Sequence, residues 1–428
     1  MEVNLRYGAG RVSLDVPDAN VAGLYRPIRR TEEDARSPLS VLPETPEANA
    51  LSDAARGKSV LFFVADATRD EAHGDILEAG FRCLTGARSV TVAITTGSHK
   101  SDTPGNGAIV AAAAAAAERA GIAPPTVVVH DCRAARFTSH GTTSRGNEIL
   151  LSDVLDPAEV LLVASDMKHH YFAGYSNPLK DFLPGIAAFD SIERNHRLAL
   201  ETDATFGRHP LHPDPKRRTN PVSEDMLEAF ELASKGRPCH ALITVTVDGK
   251  TAHAHLDTIR EAAARGMTVV DEIASFTVDR TDRLIVSAGG TPQDDTLYLS
   301  QRAVELTRAA AANGAEILLL AECAGGIADS KSAYENFYLE LTRPLPEVTR
   351  RIRDGYKLYQ HKAYKFAELL QRIDALHLHS VLPESDVRAA HLTPASNAQA
   401  VVDGWLERDP DCRIACFDEA NRLCVLAS

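Results

Sequence analysis

The runs SVLFFVAD (Ser59–Asp66), SVTVAITTGSH (Ser89–His99), TVVVHD (Thr126–Asp131) and EVLLVASD (Glu159–Asp166) constrain the fold more than any other feature of this chain. Each is apolar over most of its length and closes on a polar residue. A strand with one wet face alternates; a run without alternation is covered on both faces, as in a parallel sheet flanked by helices. Stretches of helical character separate the runs, among them the alanine-rich AIVAAAAAAA (Ala108–Ala117), so strands alternate with helices. HALITVTVD, a helix over TIREAAARG, and TVVDEI come next. A second set opens at DRLIVSAGG (Asp282–Gly290), with the helix LYLSQRAVELTRAAAANG and the strand EILLLAEC. A long polar helical region (Pro344–Ile373) then leads to HLHSVLP.

These patterns predict two α/β domains with largely parallel sheets, residues 1–270 and 271–428, and a ligand cleft between them. VSLDVP near the amino terminus alternates as a strand and leads into a polar stretch, Pro27–Ala55. RIACFDEANRLCVLA at the other end reads as a hairpin, with the last residues able to pack back on the first domain. A length of 428 residues fits two or three domains, each with its own core.

Charge narrows the partners. Forty-six Lys and Arg against 59 Asp and Glu give a formal net charge of −13, so no broad basic field favours nucleic acid or an anionic membrane. MEVNLRYGAG lacks the basic start and apolar run of a signal peptide, and the longest apolar run stops at Glu118-Arg119, too short to span a bilayer. Seven scattered cysteines without a CxxC pair speak for reduced thiols, and against a disulfide framework or a zinc knuckle. The expectation is a cytoplasmic protein acting on a small molecule.

Three strand ends carry chemistry: Asp66, Thr68 and Arg69; Thr95, Thr96, Ser98 and His99; Asp166, Lys168, His169 and His170. In a doubly wound sheet such ends converge on one edge, where ligands bind. Arginine suits a carboxylate because its planar fork makes two parallel hydrogen bonds. Two histidines suit proton removal on one side and return on the other. The third end continues into HYFAGYSNPLKDFLPGIAAFDSIERNH (His170–His196), where Gly174, Pro178, Pro184 and Gly185 break any regular period. Tyr171, Phe172, Phe182, Leu183 and Ile186 give this loop apolar walls suited to a cofactor pocket. Each polar residue also has a bland reading; Lys180 beside Asp181, taken alone, is a solvated lysine.

DATR, GSH and the His170–His196 segment together resemble the nickel-pincer-dependent lactate racemase family of 2-hydroxyacid racemases and epimerases. YGAG, GTTSRGNEILL (Gly141–Leu151), SAGGTPQDDTLY (Ser287–Tyr298) and AECAGGI (Ala321–Ile327) extend the resemblance in order along most of the chain. It implies a nickel-pincer nucleotide, that is, nickel held by pyridinium-3,5-bisthiocarboxylic acid mononucleotide. By motif position Lys180 becomes its covalent tether and His196 its nickel ligand. His99 and His170 become the acid/base pair, and Asp66, Thr68, Arg69, Tyr298 and Arg302 the residues around the substrate. Cofactor-biosynthesis proteins are implied partners. The chain departs from the family where Leu299 stands in place of a glutamine and Arg302 in place of a lysine. DATRD lacks a proline, and SNPLK replaces a glycine-richer loop. The implied substrate is therefore a larger hydroxy acid or a sugar acid such as an aldonate rather than lactate.

The implied reaction is racemisation or C2-epimerisation by transient hydride transfer from the substrate Cα to the tethered cofactor. Chemistry favours this route, because a 2-hydroxyacid Cα–H is too weakly acidic for direct removal by histidine. A hydride leaves as a histidine takes the hydroxyl proton, and returns to the other face of the flat keto acid. Two alternatives stand beside it: a nicotinamide-dependent 2-hydroxyacid dehydrogenase, for which a GxGxxG after a strand is missing, and a non-catalytic cofactor-binding protein. RHPLHPDP (Arg208–Pro215) spaces His209 and His212 like metal ligands, but its prolines suit a rigid loop. His253 and His255 in TAHAHLD share one face of an extended stretch, and His361 lies on a helix able to cover the cleft.

Overall fold

The structure, a computed structural model, describes residues 1–28, 37–42, 45–69, 71–247 and 249–428, with the backbone alone at 41. Part of the polar stretch Pro27–Ala55 thus lies outside the described residues; its last ten residues, Pro46–Ala55, form a helix capped by Thr45, whose Oγ1 accepts from the Ala48 N–H at 3.1 Å. The chain divides into two compact units, residues 29–271 and residues 1–28 with 272–428. Both are α/β, each built on a six-stranded sheet.

In the unit of residues 29–271 the sheet order is Lys250–Thr258, Cys239–Val247, Val160–Asp166, Ser59–Ala65, Ser89–Thr95, Thr126–Val129. All neighbours are parallel except the Lys250–Thr258 edge strand. The four apolar runs are therefore strands. Their lack of alternation follows from helices over the sheet: Phe62, Val64, Ile94 and Leu162 pack with Leu77, Phe81, Ile109 and Ala113 in one core. The Phe62 and Phe81 rings meet edge to face, centroids 5.8 Å apart, a contact worth about 1 kcal/mol beyond the area it buries. Strand order reverses between Ser59–Ala65 and Val160–Asp166. At such a reversal the connections diverge to either side and leave a crevice at the carboxyl ends of the strands.

The other unit has a wholly parallel sheet: Thr393–Pro394, Ala375–His379, Ala311–Leu320, Thr281–Ser287, Ile414–Phe417, Val21–Tyr25. The first 28 residues fold here, not with the residues that follow them. Val21–Tyr25 is the edge strand beside Ile414–Phe417, and the hairpin Glu2–Tyr7/Gly10–Asp15 buries Val3, Leu5 and Leu14 against Leu318, Leu320 and Trp405. The carboxyl terminus is not a hairpin. Ile414–Phe417 lies inside the main sheet, whereas Cys424–Ala427 pairs in parallel with Ser275–Val278. Between them Glu419 takes a left-handed φ of +55° and Ala420–Arg422 a single 3₁₀ turn, which sends the second strand to its own partner.

The long polar region resolves into two helices, Leu345–Asp354 and Gln360–Leu370, and TIREAAARG and TVVDEI share one helix, Ile259–Ala274. Among the described residues no helix is long and apolar enough to cross a membrane. The seven cysteines form no disulfide.

Candidate active site

Asp66 follows directly on the strand Ser59–Ala65 and is buried. Its Oδ1 accepts from the Thr68 hydroxyl at 2.6 Å and the Thr68 N–H at 3.2 Å, and its Oδ2 lies 2.8 Å from Nδ1 of His99. Burial alone would raise the Asp66 pKa. The His99 and Thr68 hydrogen bonds and the nearby Arg69 charge outweigh it and hold the carboxyl below its ordinary value. An ionised carboxylate only accepts, so His99 Nδ1 carries a proton, and in the neutral ring Nε2 keeps its lone pair. The His99 side chain is 38% exposed, so that nitrogen is within reach of a ligand.

His99 sits on the loop after Ser89–Thr95, and this loop is tied to the segment that carries Lys180. The Thr95 hydroxyl donates to Asp181 at 2.8 Å, and the Gly97 N–H donates to the Gly185 carbonyl at 3.0 Å. Lys180 lies in a 3₁₀ turn, Pro178–Asp181. Asn177 caps the turn by accepting from the Leu179 N–H at 2.9 Å, while its own amide donates to the Tyr175 carbonyl at 3.0 Å. Gly185 closes the turn from the other side, where a Cβ would stand 2.2 Å from the Asp181 carbonyl oxygen. Asp181 is buried, which pushes its carboxyl up to about 7 despite the Thr95 hydroxyl and the Lys180 and Arg69 charges. The picture of a solvated Lys180–Asp181 pair does not fit this environment.

His170 ends the short strand Lys168–His170, which pairs antiparallel with Gly174–Ser176. Its Nδ1 accepts from the Ala173 N–H at 3.2 Å, which in the neutral ring puts the proton on Nε2. Tyr171 stacks on the His170 ring at 5.2 Å, and Phe172 meets it edge-on at 4.5 Å. Phe172 also meets the His196 ring edge-on at 5.3 Å, so one aromatic ring touches both imidazoles. His196 is in the last turn of the helix Phe189–Arg197. Removal from water and the Lys180 charge push its pKa down to about 3, which keeps the imidazole neutral.

The segment GTTSRGNEILL scaffolds that helix. Asn195 and Asn147 both donate to Asp225 Oδ2 at 2.9 Å, the Thr143 hydroxyl donates to Asp225 Oδ1 at 2.6 Å, and Asn147 also reaches the Ser191 carbonyl at 3.1 Å. Glu71 is a residue the sequence reading passed over. Removal from water and the charges of Asp166 and Asp181 push its carboxyl up to about 8, against Lys168 and Arg69. Glu71, Asp166 and Asp181 thus act on one another at this edge of the sheet, together with Arg69 and Lys168.

Asp66, Thr68 and His99 are in direct contact, and His170, Phe172 and His196 form a second contact group. Lys180 acts electrostatically on His196, and Arg69 on Asp66 and Asp181. His209 and His212 do not form a metal pair. His209 Nδ1 accepts from the Leu211 N–H at 3.1 Å and His212 Nε2 turns to Asp271 at 3.2 Å; among the described residues no group of three or more His, Cys, Asp or Glu is placed to hold a metal ion. His253 and His255 bond each other at 2.9 Å on the edge strand.

Tyr298 and Arg302 belong to the other unit, on the helix Leu297–Thr307 capped by Thr296. Lys362 reaches them from the helix Gln360–Leu370: its Nζ donates to the Tyr298 carbonyl and lies 4.2 Å from the centre of the Tyr298 ring. Burial and the Arg302 charge bring Lys362 down to about 7. Leu299 is the next residue of that helix, and His361 is buried against the Tyr356 hydroxyl at 2.8 Å.

Residues 7–207 match the lactate racemase N-terminal domain. A lactate racemase from Thermoanaerobacterium thermosaccharolyticum is 26% identical over 337 residues, 76% of this chain and 75% of that protein. A lactate racemase from Lactiplantibacillus plantarum is 24% identical over 186 residues, 44% of this chain and 42% of its own length. Among solved structures, the lactate racemase apoprotein from T. thermosaccharolyticum superposes with a TM-score of 0.85 at 24% identity, covering 99% of this chain and all of that one. A protein from Thermotoga maritima gives 0.63 at 14% identity, covering 92% of this chain and all of its own. Both structures share the two-unit α/β fold. With residues 7–207 matched to the lactate racemase N-terminal domain and the fold shared from end to end, the chain is similar to lactate racemases, which are isomerases, over most of its length.

Proposed function

We propose that this protein racemises or C2-epimerises a 2-hydroxyacid, with His99 and His170 as the acid/base pair. The observation that carries the reading is the opposite set of the two imidazoles. Asp66 leaves His99 Nε2 as an acceptor, and the Ala173 amide leaves His170 Nε2 as a donor. Inversion of a carbinol centre needs a proton acceptor on one side and a proton donor on the other, and each contributes roughly 10²–10⁴-fold. His99 is set to accept; to give a proton His170 acts as imidazolium, for which its Nδ1 releases the Ala173 N–H. After that turnover His99 holds the proton and His170 is neutral, so the opposite enantiomer enters with the roles exchanged.

The residues present fit a nickel-pincer nucleotide. His196 is neutral, the form in which imidazole ligates nickel, and Lys180, the proposed tether, is near enough to bias it. When bound, the cofactor supplies the acceptor and donor for the Cα hydrogen. Everything else falls to the side chains. Arg69 pairs with the substrate carboxylate; Asp66 orients His99 and stabilises its imidazolium; the aromatic rings of Tyr171 and Phe172 restrict water around His170. Tyr298 and Arg302 are the proposed selecting residues. Leu299 and Arg302, which stand where the resemblance sets a glutamine and a lysine, favour a larger hydroxy acid or a sugar acid over lactate.

The test is to load the protein by co-expression with the cofactor-synthesis proteins and nickel, and to give it single enantiomers of 2-hydroxy and sugar acids. Chiral chromatography should show the other configuration at C2 with no keto acid accumulating. Net keto acid that depends on added NAD would replace this reading with a dehydrogenase.

A further inference from the structure

The hairpin Lys168–His170/Gly174–Ser176 presents two faces. His170 is on one; His169 and Tyr175, paired across the strands with ring centroids 5.0 Å apart, are on the other and fully buried. That buried face ends on a single carboxylate, Asp271, on the helix Ile259–Ala274. The Tyr175 hydroxyl donates to Asp271 Oδ1 at 2.7 Å, and His169 Nε2 lies 3.6 Å from the same oxygen. His212 Nε2 is 3.2 Å from Oδ2. Arg217 grips both carboxylate oxygens, and also donates to the Tyr175 hydroxyl and, through Nε at 2.6 Å, to the Gly207 carbonyl.

The loop that supplies His212 and Arg217 closes on the hairpin itself. Gly174, opposite His170 in the ladder, has φ +73°, and a Cβ there would stand 1.7 Å from the Arg208 carbonyl oxygen. The Gly207 N–H donates to the Gly174 carbonyl at 3.3 Å. Only glycine permits this approach. Asp271 gathers two histidines, an arginine and a tyrosine, which hold its carboxyl far below its ordinary value although burial acts the other way. A largely buried hydrogen-bond network of this kind restricts the arrangement of the elements it joins.

We infer that Asp271 is a positioning residue for the reaction: through Tyr175, His169 and Arg217 it fixes the register and tilt of the hairpin whose outer face carries His170. The inference rests on the assignment of His170 as an acid/base group. It also gives the RHPLHPDP loop a role, as the clamp that brings His212 and Arg217 to Asp271.

The experiment compares cofactor-loaded wild type, Asp271→Asn, Tyr175→Phe and His170→Ala on the best substrate found. Misplacing an acid/base group by about 1 Å costs up to roughly 10²-fold in rate. Asp271→Asn should lower kcat on that scale with KM little changed, with nickel content and Lys180 modification equal to wild type and with a shifted pH–kcat profile. Tyr175→Phe removes the two hydrogen bonds of the hydroxyl, to Asp271 and from Arg217, and keeps the Arg217–Asp271 pair, so it should show the same pattern more weakly; it decides the matter if Asp271→Asn does not fold. Wild-type kcat in both network variants beside an inactive His170→Ala would overturn the positioning role alone. Losses of kcat that merely track lost folding or lost nickel would overturn it too. An active His170→Ala would remove the acid/base assignment on which it stands.

Discussion

Asp66 Oδ2 lies 2.8 Å from His99 Nδ1, although the two residues belong to the ends of different strands. This pairing engages Nδ1 and leaves Nε2 as the nitrogen that, in the proposed reaction, takes the hydroxyl proton. Asp66→Asn keeps the shape but turns an obligate acceptor into a group that can also donate, so the ring loses its preferred tautomer. The account expects kcat to fall by roughly 10²–10⁴-fold in the cofactor-loaded enzyme. Steady-state kinetics with matched nickel content checks this.

The same pair makes stability depend on pH. Asp66 has a lowered pKa in the folded chain, so its contribution is fully present above the unfolded value near ~3.9 and is lost as pH falls through the lower folded value. Thermal melts between neutral and acidic pH should show part of the acid loss disappear in Asp66→Asn. An unchanged acid limb would count against a charged Asp66.

Lys180 and His196, the proposed tether and ligand, allow attachment to be tested apart from coordination. Lys180→Ala should give a protein without a covalent adduct, by intact-mass measurement. His196→Ala should keep the adduct on Lys180 but lose nickel on dialysis against a chelator. Full nickel retention in His196→Ala would remove it as the ligand.

Gly185 closes the turn that carries Lys180. Gly185→Ala puts a methyl group 2.2 Å from the Asp181 carbonyl oxygen, and backbone must move to admit it. The expected cost is about 3 kcal/mol, measured as a lower urea midpoint with an unchanged slope. A loss of adduct yield on Lys180 should accompany it.

Arg302→Lys should shift the ranking of substrates and leave nickel content and adduct yield as they were. An identical ranking across hydroxy acids and sugar acids would show that Arg302 does not select.

The sheets were legible because strands covered on both faces leave an unbroken apolar run that no other element explains. Their polar ends were legible for the same reason: Asp66 and His99 stand out where each run stops. What a local pattern cannot carry is pairing at long range. Val21–Tyr25 reads as any short strand, and only Ile414–Phe417, almost four hundred residues on, makes it the edge of the other sheet. RIACFDEANRLCVLA has the composition of a hairpin, and the left-handed Glu419 that redirects it is visible only in the backbone. Glu71 and Asp271 were missed because each looks like an ordinary solvated acid. Asp271 in TVVDEI gives no local sign that Tyr175, His212 and Arg217 converge on it. His209 and His212 had the spacing of ligands; their ring nitrogens are engaged instead by a backbone amide and a carboxylate.

The central claim is that the Cα hydrogen leaves one face of a 2-hydroxyacid and returns to the other without passing through solvent, while His99 and His170 handle only the hydroxyl proton. The most direct test gives the cofactor-loaded enzyme a single enantiomer deuterated at Cα, in ordinary water, and follows both configuration and label by chiral chromatography with mass detection. The account predicts product of inverted configuration that retains the deuterium. Inverted product in which the deuterium has been replaced by solvent hydrogen would contradict it.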